Sequence, residues 1–528
     1  MRHLLFVLLF LSSFNSIFSI SNYASTNWNN AGISTVIPTS KTISIEDFGG
    51  KADYNTDNAP ALQAAIKSTN GIPTTILIPA GNYIFKKSIS IPSGIVLKGE
   101  GSDKTILNFN LNGSGDLFSI QGNADKKSTT AILSGTTKGN TKIQVDNSSA
   151  FSVGDYIQIQ QNANVLLASD WAYNYFFQIA KITKINNQEI SFENPLRMDF
   201  PISNKPTIQK INPIQNVGIE SLKIKRNDAT GNQTSNLFFN YAINCWVKGI
   251  ESEQTNYAHI TLQSSAFNTI SGNYLHDAFD YGSGGKGYGV VLQFGASDNI
   301  IEDNIAQHLR HSFLLQAAAN GNVIAYNYSY NPYWKEGWFP ANAAGDIVLH
   351  GNYPYSNLFE GNIVQNLVID NSHGINGADN IFFRNRIENY GVVMNGNSGD
   401  NMYFIANEIS GSGLLKGLFT LTGNQTEIAN YIKGNTQAGS VNESSLISKN
   451  YGAKIGLPNK PNSGQNEAFT RNNKALKTNY KVNNKAVILP KVINDIKQKS
   501  DETENTVKGI KPTKNKKCCV IKKKKNSK

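Results

Sequence analysis

The run N-T-I-S-G-N-Y-L at positions 268–275 returns as N-I-I-E-D-N-I-A at 299–306, N-V-I-A-Y-N-Y-S at 322–329, N-L-F-E-G-N-I-V at 357–364 and N-I-F-F-R-N-R-I at 380–387. Each copy is short, rich in Ile, Val, Phe and Tyr, and bounded by Asn or Gly, which is how strands read and helices do not. A second series alternates with the first: L-F-F-Asn240, I-T-L-Gln263, V-V-L-Gln293, F-L-L-Gln316, I-V-L-His350, L-V-I-Asp370 and V-V-M-Asn395, at steps of 23, 30, 23, 34, 20 and 25 residues. A unit of that length cannot bury its apolar face alone and must stack on its neighbours. The chain therefore predicts an all-β solenoid, a right-handed single-stranded parallel β-helix with two or three strands per coil. Asn recurs at the corners because it tolerates left-handed backbone and hydrogen-bonds neighbouring backbone groups.

Upstream of the repeats, residues 43–58 read I-S-I-E-D-F-G-G-K-A-D-Y-N-T-D-N, followed by a helical stretch at 59–67, A-P-A-L-Q-A-A-I-K, and two strand-rich runs ending at Gly101. Through Asp47-Phe48-Gly49, Asp57, Gln63-Ala64-Ala65, Pro79-Ala80-Gly81 with Tyr83, and Leu97 with Gly99-Glu100-Gly101, this block resembles the pectate lyase superfamily. That broad group includes family 28 glycoside hydrolases, rhamnogalacturonases and virus tailspikes. The chain departs from it at Ala52-Asp53-Tyr54, where Gly-Asp-Gly is usual. The resemblance implies a short helix capping the open end of the stack, where a bare strand edge would invite aggregation.

The organisation that follows is a signal peptide at 1–22, a cap and first coils at 40–128, an inserted antiparallel module at 129–204, groove-bearing coils at 205–440 and a basic tail at 441–528. Met1-Arg2-His3, the apolar run from Leu4 to Phe18 and small residues at Ser19, Ser21 and Ala24 have the form of a secretory leader, so a secreted protein with no membrane span is expected. Period-two alternation in T-K-I-Q-V, V-G-D-Y-I-Q-I, I-A-K-I-T-K-I and Q-E-I-S-F marks the inserted module, whose loop carries Trp171, Tyr173, Tyr175, Phe176 and Phe177.

The net charge of +11 is concentrated in the tail: from Leu446 onward there are 21 Lys and Arg against 5 Asp and Glu, leaving 28 against 33 before it. The body is thus mildly acidic, and no nucleic-acid partner is expected. A tail without apolar pattern is expected to contribute little to stability. Of three cysteines, Cys518 and Cys519 are adjacent and Cys245 lies in a strand, so no disulfide framework is present and Cys245 reads as core.

The long loops at 275–288, 307–311 and 331–346 precede the polar ends of the second series, and insertions held on one face of a solenoid are where function concentrates. Asp277 and His308 both stand nine residues after an Asn anchor, and Asp280 and His311 both stand twelve after one. If register held, each carboxylate and imidazole would be one strand spacing apart, about 4.8 Å. His350 adds a further ionisable rung.

The resemblance implies a polysaccharide partner. A lyase needs a group to neutralise a uronate, a base and an acid, for which Arg310, His311 and Tyr288 are the candidate types. A hydrolase needs two carboxylates, from among Asp277, Asp280, Asp346 and Asp370. In the coils at 205–440 the family 28 signatures N-T-D, D-D, G-H-G and R-I-K are absent, the one N-T-D, at 55–57, lying in the cap block, which favours the lyase. Tyr333, Trp334, Lys335 and Trp338 form an aromatic and charged loop suited to sugar faces. Gln293 and Gln316 stack as an amide ladder and, with Asp370 and His373, are further candidate substrate contacts. A non-catalytic glycan-binding protein is the alternative. No residue pattern fixes a cofactor or metal, and a Ca2+ site of Asp and Asn oxygens is left open.

Overall fold

The computed structural model describes residues 26–33, 39–163, 165–336, 340–441 and 445–447, with short strands at Ile17–Phe18, Lys481–Val482 and Lys485–Ala486. Most of the stretch expected to be a leader, nearly all of the basic tail and Trp338 lie outside the described residues. In the separate C-terminal unit, Lys477–Lys528, the two short strands pair antiparallel.

The body is a right-handed parallel β-helix with three strand-bearing faces. The first face stacks twelve strands from Lys41–Ser44 to Thr426–Ile428. A two-residue corner leads to the second face, so that Trp246–Lys248 is followed by Glu251–Glu253 and Tyr403–Ile405 by Glu408–Ile409. The first residue of that corner is left-handed in coil after coil: Ser221, Gly249, Gly272, Asp303, Tyr326, Gly361, Arg384, Ala406 and Ala429 all have φ between 51° and 67°. The second is most often Asn, and these asparagines form a buried ladder from Asn273 through Asn304, Asn327, Asn362, Asn385 and Asn407 to Asn430. Each Oδ1 accepts from the amide of the preceding rung. Each Nδ2 also donates to a carbonyl, as Asn304 does to Ile270. A parallel ladder runs from Asn268 through Asn299, Asn322 and Asn357 to Asn380 ahead of the first face. Buried amides placed this way satisfy corner groups that no strand can reach.

The second series occupies the third face. Asn240 pairs with Gln263 and Gln263 with Gln293, and the registers Leu292 to Leu315, Leu315 to Leu349, Leu349 to Ile369 and Ile369 to Met394 carry the remaining rungs into the same column. Inside, the apolar residues form one continuous core, with Phe359, Phe382 and Phe404 stacked at 4.7 and 4.8 Å. Cys245 is part of it, its thiol pushed up to about 12 by burial.

Helix Ala59–Ser68 caps the N-terminal end, burying Ala59, Ala61, Leu62 and Ala65. Residues 26–33 lie along the outside of the first face: Trp28 and Ala31 pack against Ile300, Val323 and Leu358, and the Trp28 Nε1 donates to the Ser356 carbonyl at 3.0 Å. The inserted module is an antiparallel sheet of seven strands running from Asn123 to Asn212. It is wider than the 129–204 expected, because Asn123–Ala124 and Thr207–Asn212 add strands that pair with each other, the second also pairing with the predicted strand Tyr156–Gln160. Coil strands resume at Gly218–Glu220. A fully buried ion pair, Arg197 to Asp298, joins module to solenoid, with Arg197 Nη1 also donating to Asn320 at 2.8 Å.

Candidate functional site

Across the third face two columns of side chains confront each other over a floor of Val291, Leu314 and Val348. At the strand starts stand Tyr257, Tyr288 and His311, with His311 in register with Tyr288. At the strand ends stand Gln263, Gln293, Gln316, His350 and Asp370. Tyr257 reaches across, its hydroxyl 3.2 Å from Gln293 Oε1. The ring centroids of Tyr288 and His311 are 5.1 Å apart, those of His311 and His350 are 6.0 Å apart, and His350 meets His373 edge to face at 4.9 Å. Gly289 lets the coils approach here, since a Cβ on it would stand 2.3 Å from the Ser312 carbonyl oxygen.

The hydrogen bonds fix the chemistry of each group. His311 Nδ1 lies 2.9 Å from the Gly345 carbonyl. A carbonyl only accepts, so Nδ1 carries the proton and Nε2 carries the free lone pair. Burial, with the charges of Arg310 and His350, pushes the His311 imidazolium down to about 3, so the ring is neutral. His350 Nδ1 donates to Asp370 Oδ2 at 2.7 Å. Burial would raise the Asp370 carboxyl, but the hydrogen bond and charge of His350 hold it below its ordinary range. The Tyr288 phenol is raised by burial and brought back in part by Arg310, whose guanidinium lies 5.7 Å from that ring and 5.1 Å from Trp334. Arg310 Nη1 donates to the carbonyls of Gly282 and Gly284. Its buried Nε, and the buried Nε1 of Trp334, have no acceptor among the described residues.

Gly345 is itself held. The buried Asp346, pushed up to about 7 by burial, accepts from the Ser329 hydroxyl and from the Gln365 and Asn366 amides, while Asn366 Nδ2 donates to Asn342 and Ala344 at 2.8 Å. Gln316 Nε2 donates to Gln293 Oε1 at 2.7 Å and Gln293 Nε2 to Gln263 Oε1 at 3.3 Å, the expected amide ladder.

The remaining candidates form two other groups. Asp277 and His308 do meet at 2.9 Å, but in a chain over the second face: Lys223 to Glu251, Glu251 to His276, His276 to Asp277, Asp277 to His308, with Tyr281 and Tyr333 packed on His308. Asp280 pairs with Lys286 and Lys335, which hold its carboxyl well below the usual range. The expected pairing of Asp280 with His311 is not found. Eleven residues separate strand Tyr274–His276 from Tyr288–Gln293, whereas three separate Ile305–Gln307 from His311–Leu315, so equal offsets from the Asn anchors do not survive the longer loop. Among the described residues, Glu251, Glu253 and His276 are the one group of ligand type gathered within 4.8 Å, and the Lys223 ammonium already bridges the two glutamates.

The second-face chain should be visible in stability against pH. Burial alone would lower His276, yet bonds to Asp277 and Glu251 carry it above its ordinary 6.5. Its contribution is therefore complete below 6.5 and lost as pH rises through the raised value. Asp277 and Glu251 are depressed from 3.8 and 4.5, and their contribution disappears as pH falls below those values. The loss of urea midpoint caused by His276→Gln is expected to be greatest between these limits, near pH 5.5, and to shrink by pH 9. A cost independent of pH would show that packing alone holds the chain.

The parallel β-helix places the chain in the pectate lyase-like class. The chain is a member of the family described as "Rhamnogalacturonase A/epimerase, pectate lyase-like", whose model matches residues 42–331. Among solved structures it is similar to the tailspike protein gp49 from Pseudomonas phage LKA1, at 16% identity and TM-score 0.56, over 69% of this chain and 64% of that one. The chain thus spans just under two thirds of that tailspike. It also matches the Pseudomonas phage phi297 tailspike gp61, at 12% identity and TM-score 0.37 over 77% and 82% of the two chains. A tailspike of E. coli bacteriophage HK620 in complex with pentasaccharide matches at 14% identity and TM-score 0.40 over 74% and 61%. No curated protein matches the chain.

Proposed function

We propose that the protein is an exported polysaccharide lyase that cleaves a uronate-containing polymer by β-elimination. The observation that carries this reading is the pair of buried donors that have no acceptor among the described residues, Arg310 Nε and Trp334 Nε1, beside a neutral imidazole of fixed tautomer. Unmet buried donors are costly, and a substrate carboxylate would satisfy them. The same carboxylate would offset the Arg310 charge that depresses His311, making Nε2 a better base where the substrate binds.

In this mechanism Arg310 neutralises the uronate and His311 Nε2 takes the C5 proton. The C4–O bond breaks as the C4–C5 double bond forms, and the leaving oxygen takes a proton from His350 Nε2. Asp370 orients His350 through Nδ1 and stabilises the charged ring. Tyr288, one coil away in the same column, packs against Arg310 and His311 and holds them in place. Hydrolysis would need two carboxylates flanking the bond. Among the described residues of this groove Asp370 is the one carboxylate, and it is committed to His350, which favours elimination. The form of the leader supports export, and among the described residues no helix is long and apolar enough to cross a membrane.

The test is incubation with polygalacturonate, alginate and neutral dextran. Ultraviolet absorbance from an unsaturated product with either uronate polymer is the expected result. New reducing ends without that absorbance would establish hydrolysis instead, and retention on a polymer without cleavage would establish a binding protein.

A further inference from the structure

The inserted module brings one loop to the groove, and that loop is anchored more firmly than a surface connection needs to be. Leu167 and Phe176 pack with Ala318 and Tyr355 of the solenoid. Asn352 Oδ1 accepts from the amides of Ala168 and Ser169 at 2.8 and 3.1 Å, and Ser169 Oγ lies 3.2 Å from His373 Nδ1. The Ala168 side chain fits against Gly374, where a Cβ would stand 2.6 Å away. On this fixed base Trp171 remains 38% exposed. Its ring meets His373 edge to face at 5.1 Å and Phe294 at 5.8 Å, and Phe294 is stacked on Tyr175 at 4.2 Å.

A large apolar ring left in water costs free energy, and nothing in the local packing requires it: Ala172 on the same turn is fully buried, whereas Trp171 is turned outward. The ring stands one aromatic contact from His373, which itself contacts His350, so it borders the end of the groove opposite Arg310. Rigid exposed aromatics of this kind present a flat apolar surface at little entropic cost, and the C–H face of a pyranose ring matches it.

We propose that Trp171, with Phe294 and Tyr175 behind it, is a binding subsite for a pyranose unit of the polymer other than the one that loses the C5 proton. The inserted module thereby sets how many sugar units the site engages. This rests on the polysaccharide reading given above, and goes beyond it in assigning recognition to a part of the chain outside the repeats.

The experiment compares wild type, Trp171→Ala and Trp171→Phe by affinity electrophoresis in gels containing polygalacturonate or alginate, and by KM and kcat where cleavage occurs. The same Trp171 changes are also made on the catalytically silenced His311→Ala background, so that binding is read without turnover. Trp171→Ala is expected to weaken retardation and raise KM about three- to tenfold with a smaller change in kcat, and Trp171→Phe to recover part of the loss. Far-ultraviolet circular dichroism matching wild type establishes that the variants are folded. Equal retardation of wild type and Trp171→Ala in a gel that retards wild type overturns the subsite while leaving the lyase reading intact. A loss confined to kcat also overturns it, because that is the signature of a disturbed His373 and His350. If wild type is neither retarded nor active with any of the polymers, the polysaccharide reading itself fails.

Discussion

His311→Ala is expected to lower kcat on the uronate polymer by about 10²–10⁴, the range typical of losing a general base. The residue stands in register with Tyr288 and within 6.0 Å of His350, with Nδ1 committed to Gly345, so no neighbour can take its place without rotating away from its own partner. Because the side chain is buried, some loss of stability will accompany the change, about 1–3 kcal/mol. His311→Gln separates the two effects: its amide can still donate to Gly345, but it has no basic nitrogen. Both variants should lose turnover, with the glutamine closer to wild type in urea midpoint. In the wild type, kcat/KM should show no acid limb from His311 until pH approaches 3, because burial keeps that ring neutral above it. Undiminished activity in His311→Gln would eliminate His311 as the base and transfer the role to the His350, Asp370 and His373 group.

The second large effect is structural. Asn304 occupies the middle of the corner ladder, accepting from the Asn273 backbone amide and Nδ2 and donating to Ile270 and Asn327. Asn304→Ala removes all four interactions from a fully buried place. An unsatisfied buried group costs about 1–3 kcal/mol, and even with partial relaxation the loss should reach about 3 kcal/mol. It should appear as a lower urea midpoint followed by circular dichroism. A midpoint within error of wild type would mean that water replaces the amide and that the ladder is not a principal source of stability.

These two residues also show where sequence is informative. Asn304 was legible because the corner is two residues long, with Asn as the second, in coil after coil from Asn273 onward, so the repeat in the text is a repeat in space. His311 was legible as a residue type, but its partner was not. Counted from the Asn anchor, Asp280 and His311 have equal offsets, yet the count passes through loops of unequal length. Counted back from the polar rung, which lies at the end of the same strand, Tyr288, His311 and Gly345 each stand five residues before Gln293, Gln316 and His350. Offsets measured within a strand survive folding; offsets measured across a loop do not. The same count identifies Gly345, which the text alone gives no chemical reason to notice. Phe294 and Trp171 meet across more than a hundred residues, and no periodicity connects the module to the coils.

The two-residue corner has one more implication, for how such a protein can change. With a left-handed residue and a ladder asparagine filling it, that corner has no slack, and an added residue there would displace every strand beyond it. The other corners carry the whole module at 123–212 and the loops at 277–287 and 331–346 without altering the stack. The tight corner thus works as a spine on which recognition segments can be exchanged, so new specificity can arise by transplanting a loop between coils while the frame that aligns the reacting groups stays as it is.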